Sequence, residues 1–141
     1  MLPPGETFAA ETDRIFVISR NGMRADGGLL LNGAGRPEPQ KWIAGQRYRL
    51  RFININANNT TIVKLTQKGV PVSWKSLAKE GADLPPEQTR TAPATLLIAP
   101  GETYDFEVRP ERDGDMELTL DQLLLKEKVT QTIRVAARAL R

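Results

Sequence analysis

The stretch Arg47–Phe52 reads "RYRLRF", with Tyr48, Leu50 and Phe52 on one parity and Arg47, Arg49 and Arg51 on the other. A period of two places apolar and charged side chains on opposite faces of an extended chain, the mark of a strand with one face in a core. The same alternation recurs in "TYDFEV" (103–108), where Tyr104, Phe106 and Val108 oppose Asp105 and Glu107. In "DMELTL" (115–120), Met116, Leu118 and Leu120 alternate with Glu117 and Thr119. Toward the end Val129, Gln131, Ile133, Val135 and Ala137 share one face, Gln131 being the exception to an apolar set.

Shorter apolar runs, "RIFVIS", "GLLLN", "TIVKLT", "VPVSW" and "ATLLIA", read as strands covered on both sides or at domain contacts. Turn signals punctuate them: Asn21-Gly22, Asp26-Gly27-Gly28, Asn32-Gly33, Ala44-Gly45, Lys68-Gly69, Pro100-Gly101 and Asp113-Gly114. Many short strands divided this way indicate an antiparallel sandwich or barrel. No segment carries two full turns of helical periodicity with caps, so helix is expected only as a short turn near Leu77–Lys79 or Asp121–Leu125. The longest loop expected is "KEGADLPPEQTRTAP" (79–93), stiffened by Pro85, Pro86 and Pro93. The pattern gives an N-terminal extension over 1–12, one all-β domain over 13–138 and a short tail over 139–141.

At 141 residues and 40% hydrophobic content, the chain is long enough to bury a real core. No apolar run approaches the roughly 20 residues that cross a bilayer, so no membrane insertion is expected. The opening "MLPPGETFAA" has neither a basic nor an apolar leader region, so no signal peptide is expected. The net charge of +3 comes from interspersed acids and bases, and aromatics make up only 6% of the chain. Nucleic-acid binding is therefore not expected, because it calls for a basic face with stacking rings.

The chain has no histidine and no cysteine. Disulfides, thiol catalysis and thiolate metal ligands are excluded, and so are the commonest copper and zinc ligand and the commonest general base. Carboxylate pairs remain: Glu80 with Asp83, and Asp105 with Glu107. One of them would have to be buried to act as an acid beside a base, whereas the alternation around Asp105 and Glu107 reads as an outer, solvated face. An oxygen-ligand calcium site at Glu80 and Asp83 would need a spaced acidic loop that is not there. Of the thioethers, Met116 has a core period, and Met23 lies in a turn-rich segment. The arginine face of "RYRLRF" and the acidic face of "TYDFEV" can pair across neighbouring strands, at about 0.2–1 kcal/mol per pair.

Three stretches in order, "LLLNGAGRPEPQKWIAGQRYRLRFININANN" (29–59), "GVPVSWKSLAKEGADLPP" (69–86) and "LLIAPGETYDFEVRP" (96–110), resemble a cupredoxin-like domain of bacterial multicopper oxidases. The shared elements are an L-x-N-G entry, a G-x-x-Y-R-L-R-x-x-N strand, a loop at Glu80–Pro85 similar to D-G-A-x-x-P, and a G-E-x-Y-D-x-x-V strand. The resemblance implies a cupredoxin-like Greek-key β-sandwich. In that family the copper ligands are histidines, a cysteine and often a methionine, and a three-domain enzyme's middle domain typically binds no copper. This sequence lacks every His-x-His and His-Cys-His motif, so no copper position carries over and it looks most like the middle domain.

The resemblance thus implies a non-catalytic structural module of a laccase-like oxidase, with no cofactor in this chain and copper in the parent enzyme. Its partners would be the copper-bearing cupredoxin domains of the same parent chain, with self-association if the domain is excised. The location would be periplasmic or extracellular. The residues expected at the interdomain contact are Trp74, Leu77, Lys79, Asp83, Leu84 and Pro85, with an apolar patch around the 79–93 loop, while Trp74, like Trp42, also reads as a core residue whose indole N–H needs a partner. A stand-alone β-sandwich recognising a protein or glycan is the alternative reading, and an independent carboxylate enzyme a third.

Overall fold

In the computed structural model, which describes residues 12–20, 28–56, 59–122, 124 and 126–138, "RYRLRF" contributes most of strand β4 (Tyr48–Asn54). Tyr48, Leu50 and Phe52 are buried as the alternation requires. The other strands are β1 (Asp13–Arg20), β2 (Leu29–Leu31), β3 (Gln40–Ile43), β5 (Thr61–Gln67), β6 (Val70–Pro71), β7 (Ser73–Lys79) and β8 (Ala82–Asp83). They continue with β9 (Thr91–Pro93), β10 (Thr95–Ile98), β11 (Thr103–Val108), β12 (Gly114–Gln122) and β13 (Glu127–Ala136).

One sheet runs β2-β1-β4-β11-β7-β8, with β9 also on β7, and the other runs β10-β5-β12-β13-β3, with β6 also on β5. Both are mixed: β1 lies parallel to β4 and β3 parallel to β13, whereas the other pairs are antiparallel. Consecutive strands repeatedly fall in opposite sheets, in the Greek-key manner. Between them lies one core with Phe16, Ile18, Leu50, Phe52, Leu65, Met116, Leu118 and Ile133 at its centre.

The alternating strands form as expected, except that Ala137 lies exposed beyond β13. The shorter apolar runs are not covered on both sides, since Ile15, Val70 and Leu97 face solvent, and among the described residues neither expected helical turn forms. Leu77–Lys79 belongs to β7, and Asp121 and Gln122 belong to β12, whose ladder to β13 runs on through both residues. The remainder of the second expected turn, with Leu123 and Leu125, lies outside the described residues, as do Met23, the 21–27 turn signals, most of the N-terminal extension and the 139–141 tail. Among the described residues the helical piece that forms is a single 3-10 turn at Pro86–Gln88, where Pro86 supplies the fixed backbone angle favoured at a first helical position.

The expected 79–93 loop is also more ordered than a loop. Glu80 and Gly81, both at positive φ, form the two-residue turn of a hairpin between β7 and β8. The chain then passes through the 3-10 turn and returns as β9 along the same edge of β7, pairing Ser73 with Pro93 and Trp74 with Ala92.

This return leads to a joint that ties the sheets together. At Val72 the chain leaves β6 in one sheet to become β7 in the other, and at Ala94 it crosses back from β9 to β10. The two crossings are bonded to each other and to β5: Ala94 N donates to Val72 O at 2.7 Å, Val72 N to Leu65 O at 3.0 Å, and Leu65 N to Ala94 O at 3.1 Å. Buried backbone groups need such partners wherever a ladder is interrupted. Ala94 is fully buried here. Ala94→Leu is therefore expected to overpack the joint and cost about 1–3 kcal/mol, read as a lower urea midpoint; an unchanged midpoint would show that the crossing has room.

Candidate functional site

The expected interdomain residues occupy the β7–β8 edge, with one correction. Trp74 points into the sandwich: it is 3% exposed, stacks on Phe106 at 3.9 Å and tilts against Phe52 at 5.7 Å. Its ring stacks on Phe106 of the neighbouring strand inside the sandwich, so the indole is core and offers no docking surface. Leu77 sits half-buried in β7 where the register with β11 shifts, the pairing of Asp105 with Ala78 giving way to that of Phe106 with Ser76. Lys79 is exposed and holds its ammonium 5.5 Å over the Tyr104 ring. Leu84 is half-buried, its N–H donating to Leu77 O at 2.9 Å, and Asp83 and Pro85 are exposed.

The apolar patch expected around 79–93 is absent among the described residues. The exposed large apolar side chains are Ile15, Ile43, Ile55, Val70, Leu97 and Leu124, all outside that segment. The segment's exposed positions are instead mainly charged residues, prolines and small side chains.

The most organised polar feature is on the outer face of the β1–β4–β11–β7 sheet, and here the outer-face reading needs a second correction. Asp105 does point away from the core, but it is only 1% exposed. Arg51 grips it in bidentate fashion, Nε to Oδ1 and Nη2 to Oδ2, each at 2.9 Å, and Arg49 Nε donates to Oδ2 at 2.9 Å. The ladder puts Asp105 directly opposite Arg51 on one side and Ala78 on the other, with Asp83 next beyond Ala78. Arg49 bridges the row by reaching Asp83 Oδ1 at 3.4 Å.

A second row runs Asp13, Arg49, Glu107 and Lys75, alternating in sign across four strands. The bond to Asp105 is the main cause that raises the Arg51 guanidinium above its ordinary value, and the nearby Asp105, Asp13 and Asp83 charges act in the same sense against desolvation. Three charge-assisted bonds from two arginines hold Asp105, which makes this carboxylate a structural counterion of the sheet. Replacing it removes charge-assisted bonds of about 1.5–3 kcal/mol each, partly offset because both arginines can turn to water. Asp105→Asn is expected to lower stability by about 2 kcal/mol in chemical denaturation; a loss within error would mean that the lattice is ornamental.

At the top of the same sheet Tyr104 Oη donates to Glu102 Oε2 at 3.1 Å, while Glu102 Oε1 accepts Ala99 N–H at 2.7 Å. Burial, then the bond and charge of Glu102, push the phenol above its ordinary value against the opposing pull of Lys79. The fold therefore holds the proton longer than the unfolded chain does. The associated stability is present below about pH 10 and is lost as pH rises through the folded value. A phenolate absorbance titration should show a late-ionising component that Tyr104→Phe removes and Tyr48→Phe retains; loss of that component in Tyr48→Phe would reassign it.

Further polar contacts tie the two sheets and close the corners between strands. Arg20 Nη1 donates to Glu127 Oε1 at 2.6 Å and Gln122 Oε1 at 2.9 Å, and Glu127 Oε2 accepts Leu29 N–H at 2.6 Å, clasping the two sheets. Asn54, fully buried, donates to Ile98 O and Asn59 O and accepts Asn56 N–H, which fixes the β4–β5 corner. Trp42 Nε1 finds Gln40 Oε1 at 2.9 Å, the partner expected of a core indole. Of the remaining carboxylates considered, Glu80 accepts Thr103 N–H at 3.2 Å.

Among the described residues no three His, Cys, Asp or Glu side chains converge on a point that could hold a metal ion. The donor set, with neither imidazole nor thiolate anywhere in the chain, does not fit a copper centre.

This architecture is shared with solved copper oxidases. Fet3p, a multicopper oxidase that functions in iron import, superposes with a TM-score of 0.72 at 10% identity, covering 99% of this chain and 31% of that one. The blue copper oxidase of Nitrosomonas europaea gives 0.66 at 18% identity over 87% of this chain and 43% of its own. The multicopper oxidase of Pseudomonas thermotolerans gives 0.65 at 19%, over 96% and 35%. No family model matches the sequence, and no curated protein matches it either. The fold is a cupredoxin-like β-sandwich, of the kind found in the domains of multicopper oxidases. The chain spans less than half the length of each of these three solved chains.

Proposed function

We propose that this chain is a non-catalytic, copper-free cupredoxin-like domain of a laccase-like multicopper oxidase, the middle domain of three. The observation that carries the reading is the mismatch of lengths: 87–99% of this chain superposes on copper oxidases of which it covers 31–43%. A donor set without histidine or cysteine supports the copper-free part.

Its role is architectural, holding copper-bearing domains of the same polypeptide in register and walling part of the substrate path. The contact lies along the β7–β8 edge, through Leu77, Lys79, Asp83, Leu84 and Pro85. The parent works in the periplasm or outside the cell.

The test is the mass of the native polypeptide in an extract of the source organism, detected with an antibody to this domain. A band several times larger than 15.7 kDa is expected. A band at the mass of this chain alone would overturn the proposal.

A further inference from the structure

The end of the sandwich away from Tyr104 carries a notch of about 260 Å³ walled by Gly45, Gln46, Arg47, Arg109 and Arg138 beside Ile43 and Ala44. Three arginines line it, and among the described residues no carboxylate does. Arg47 has Glu107 nearby, but at 3.7 Å and with Arg47 66% exposed that contact leaves most of its charge to solvent.

The other two arginines are organised around Gly45. Arg109 Nε donates to Gly45 O at 2.9 Å, which holds the guanidinium plane and leaves its terminal N–H groups unused by that bond. Gly45 N–H donates to Pro110 O at 2.7 Å, locking the turn onto the segment that bears Arg109. Gly45 has φ +83°, and a Cβ built there would lie 3.7 Å from Arg138 Cδ and Nη1, so Arg138 lies over the glycine. The positive φ of Gly45, which a larger residue would strain, sets the turn around which the two arginines gather.

Like charges gathered around one concavity repel, and a bound anion relieves that repulsion. Planar guanidinium forks match the oxygen geometry of phosphate and sulfate. We propose that this notch is a binding site for a doubly charged tetrahedral oxyanion, free or as the phosphoryl end of a larger ligand.

The test titrates the whole ¹⁵N-labelled chain with sodium phosphate, sodium sulfate, phenyl phosphate and sodium acetate, with chloride making up a constant ionic strength. Saturable shifts are expected at the Gly45 amide and the Arg109 Nε–H with phosphate and sulfate, and none with acetate. Phenyl phosphate matching phosphate would support a phosphoryl ligand, and phosphate binding alone would support the free ion. Arg138→Ala leaves the Arg109–Gly45 bond in place and is expected to weaken binding roughly tenfold, the loss of a charge-assisted bond. Linear shifts equal to those in chloride would overturn the proposal as an adventitious ion only. Unchanged affinity in Arg138→Ala, or acetate saturating as strongly as phosphate, would overturn it too.

Discussion

Val72 and Ala94 change sheets side by side, and the three-way bonding of Val72, Ala94 and Leu65 is what lets them do so without leaving buried amides unmatched. A two-layer sandwich needs its edges closed, because an open ladder exposes unpaired N–H and C=O groups. Here one edge is closed by the chain itself, passing from β6 to β7 and from β9 to β10. The aromatic stack of Trp74, Phe106 and Phe52 lies immediately inside that closure. The register of β7 on β11, and with it the position of the whole β7–β8 edge, follows from the crossing.

The outer face of the same sheet is held by charge rather than by apolar contact. Alternating signs across β1, β4, β11 and β7 make each side chain a neighbour of its opposite. Asp105 is buried although it faces outward, because Arg49 and Arg51 of β4 close over it and bond both of its oxygens. The opposite end, with Gly45, Arg109 and Arg138, differs in kind: cations gather there without acids in the lining.

Much of this was legible from periodicity. "RYRLRF", "TYDFEV" and "DMELTL" announce their buried faces because strand geometry has a period of two, and the Asn54 corner and the Trp42 partner follow from ordinary hydrogen-bonding demand. The Arg49 and Arg51 pairing with Asp105 was visible as complementary faces; its burial was not, since alternation tells which face a residue occupies and not what leans over it. Trp74 reads from the sequence as either core or docking residue, because a large aromatic beside a proline-rich segment has the same local pattern in either role, and the stacking on Phe106 decides for the core. Long-range contacts such as Arg20 with Glu127, 107 positions apart, leave no local trace. The Gly45 notch escaped for the same reason, its arginines coming from three separate segments.

The broken run of β8, the Pro86–Gln88 turn and β9 has an evolutionary corollary. By occupying the outer side of β7 with short, proline-interrupted pieces, the chain denies an incoming strand a continuous ladder on which to zip. Whatever meets this border must therefore do so through side chains such as Lys79, Asp83 and Pro85, whose identities are not fixed by the backbone pairing beneath them. Such a border can drift, residue by residue, toward a new neighbour while the sandwich behind it stays the same.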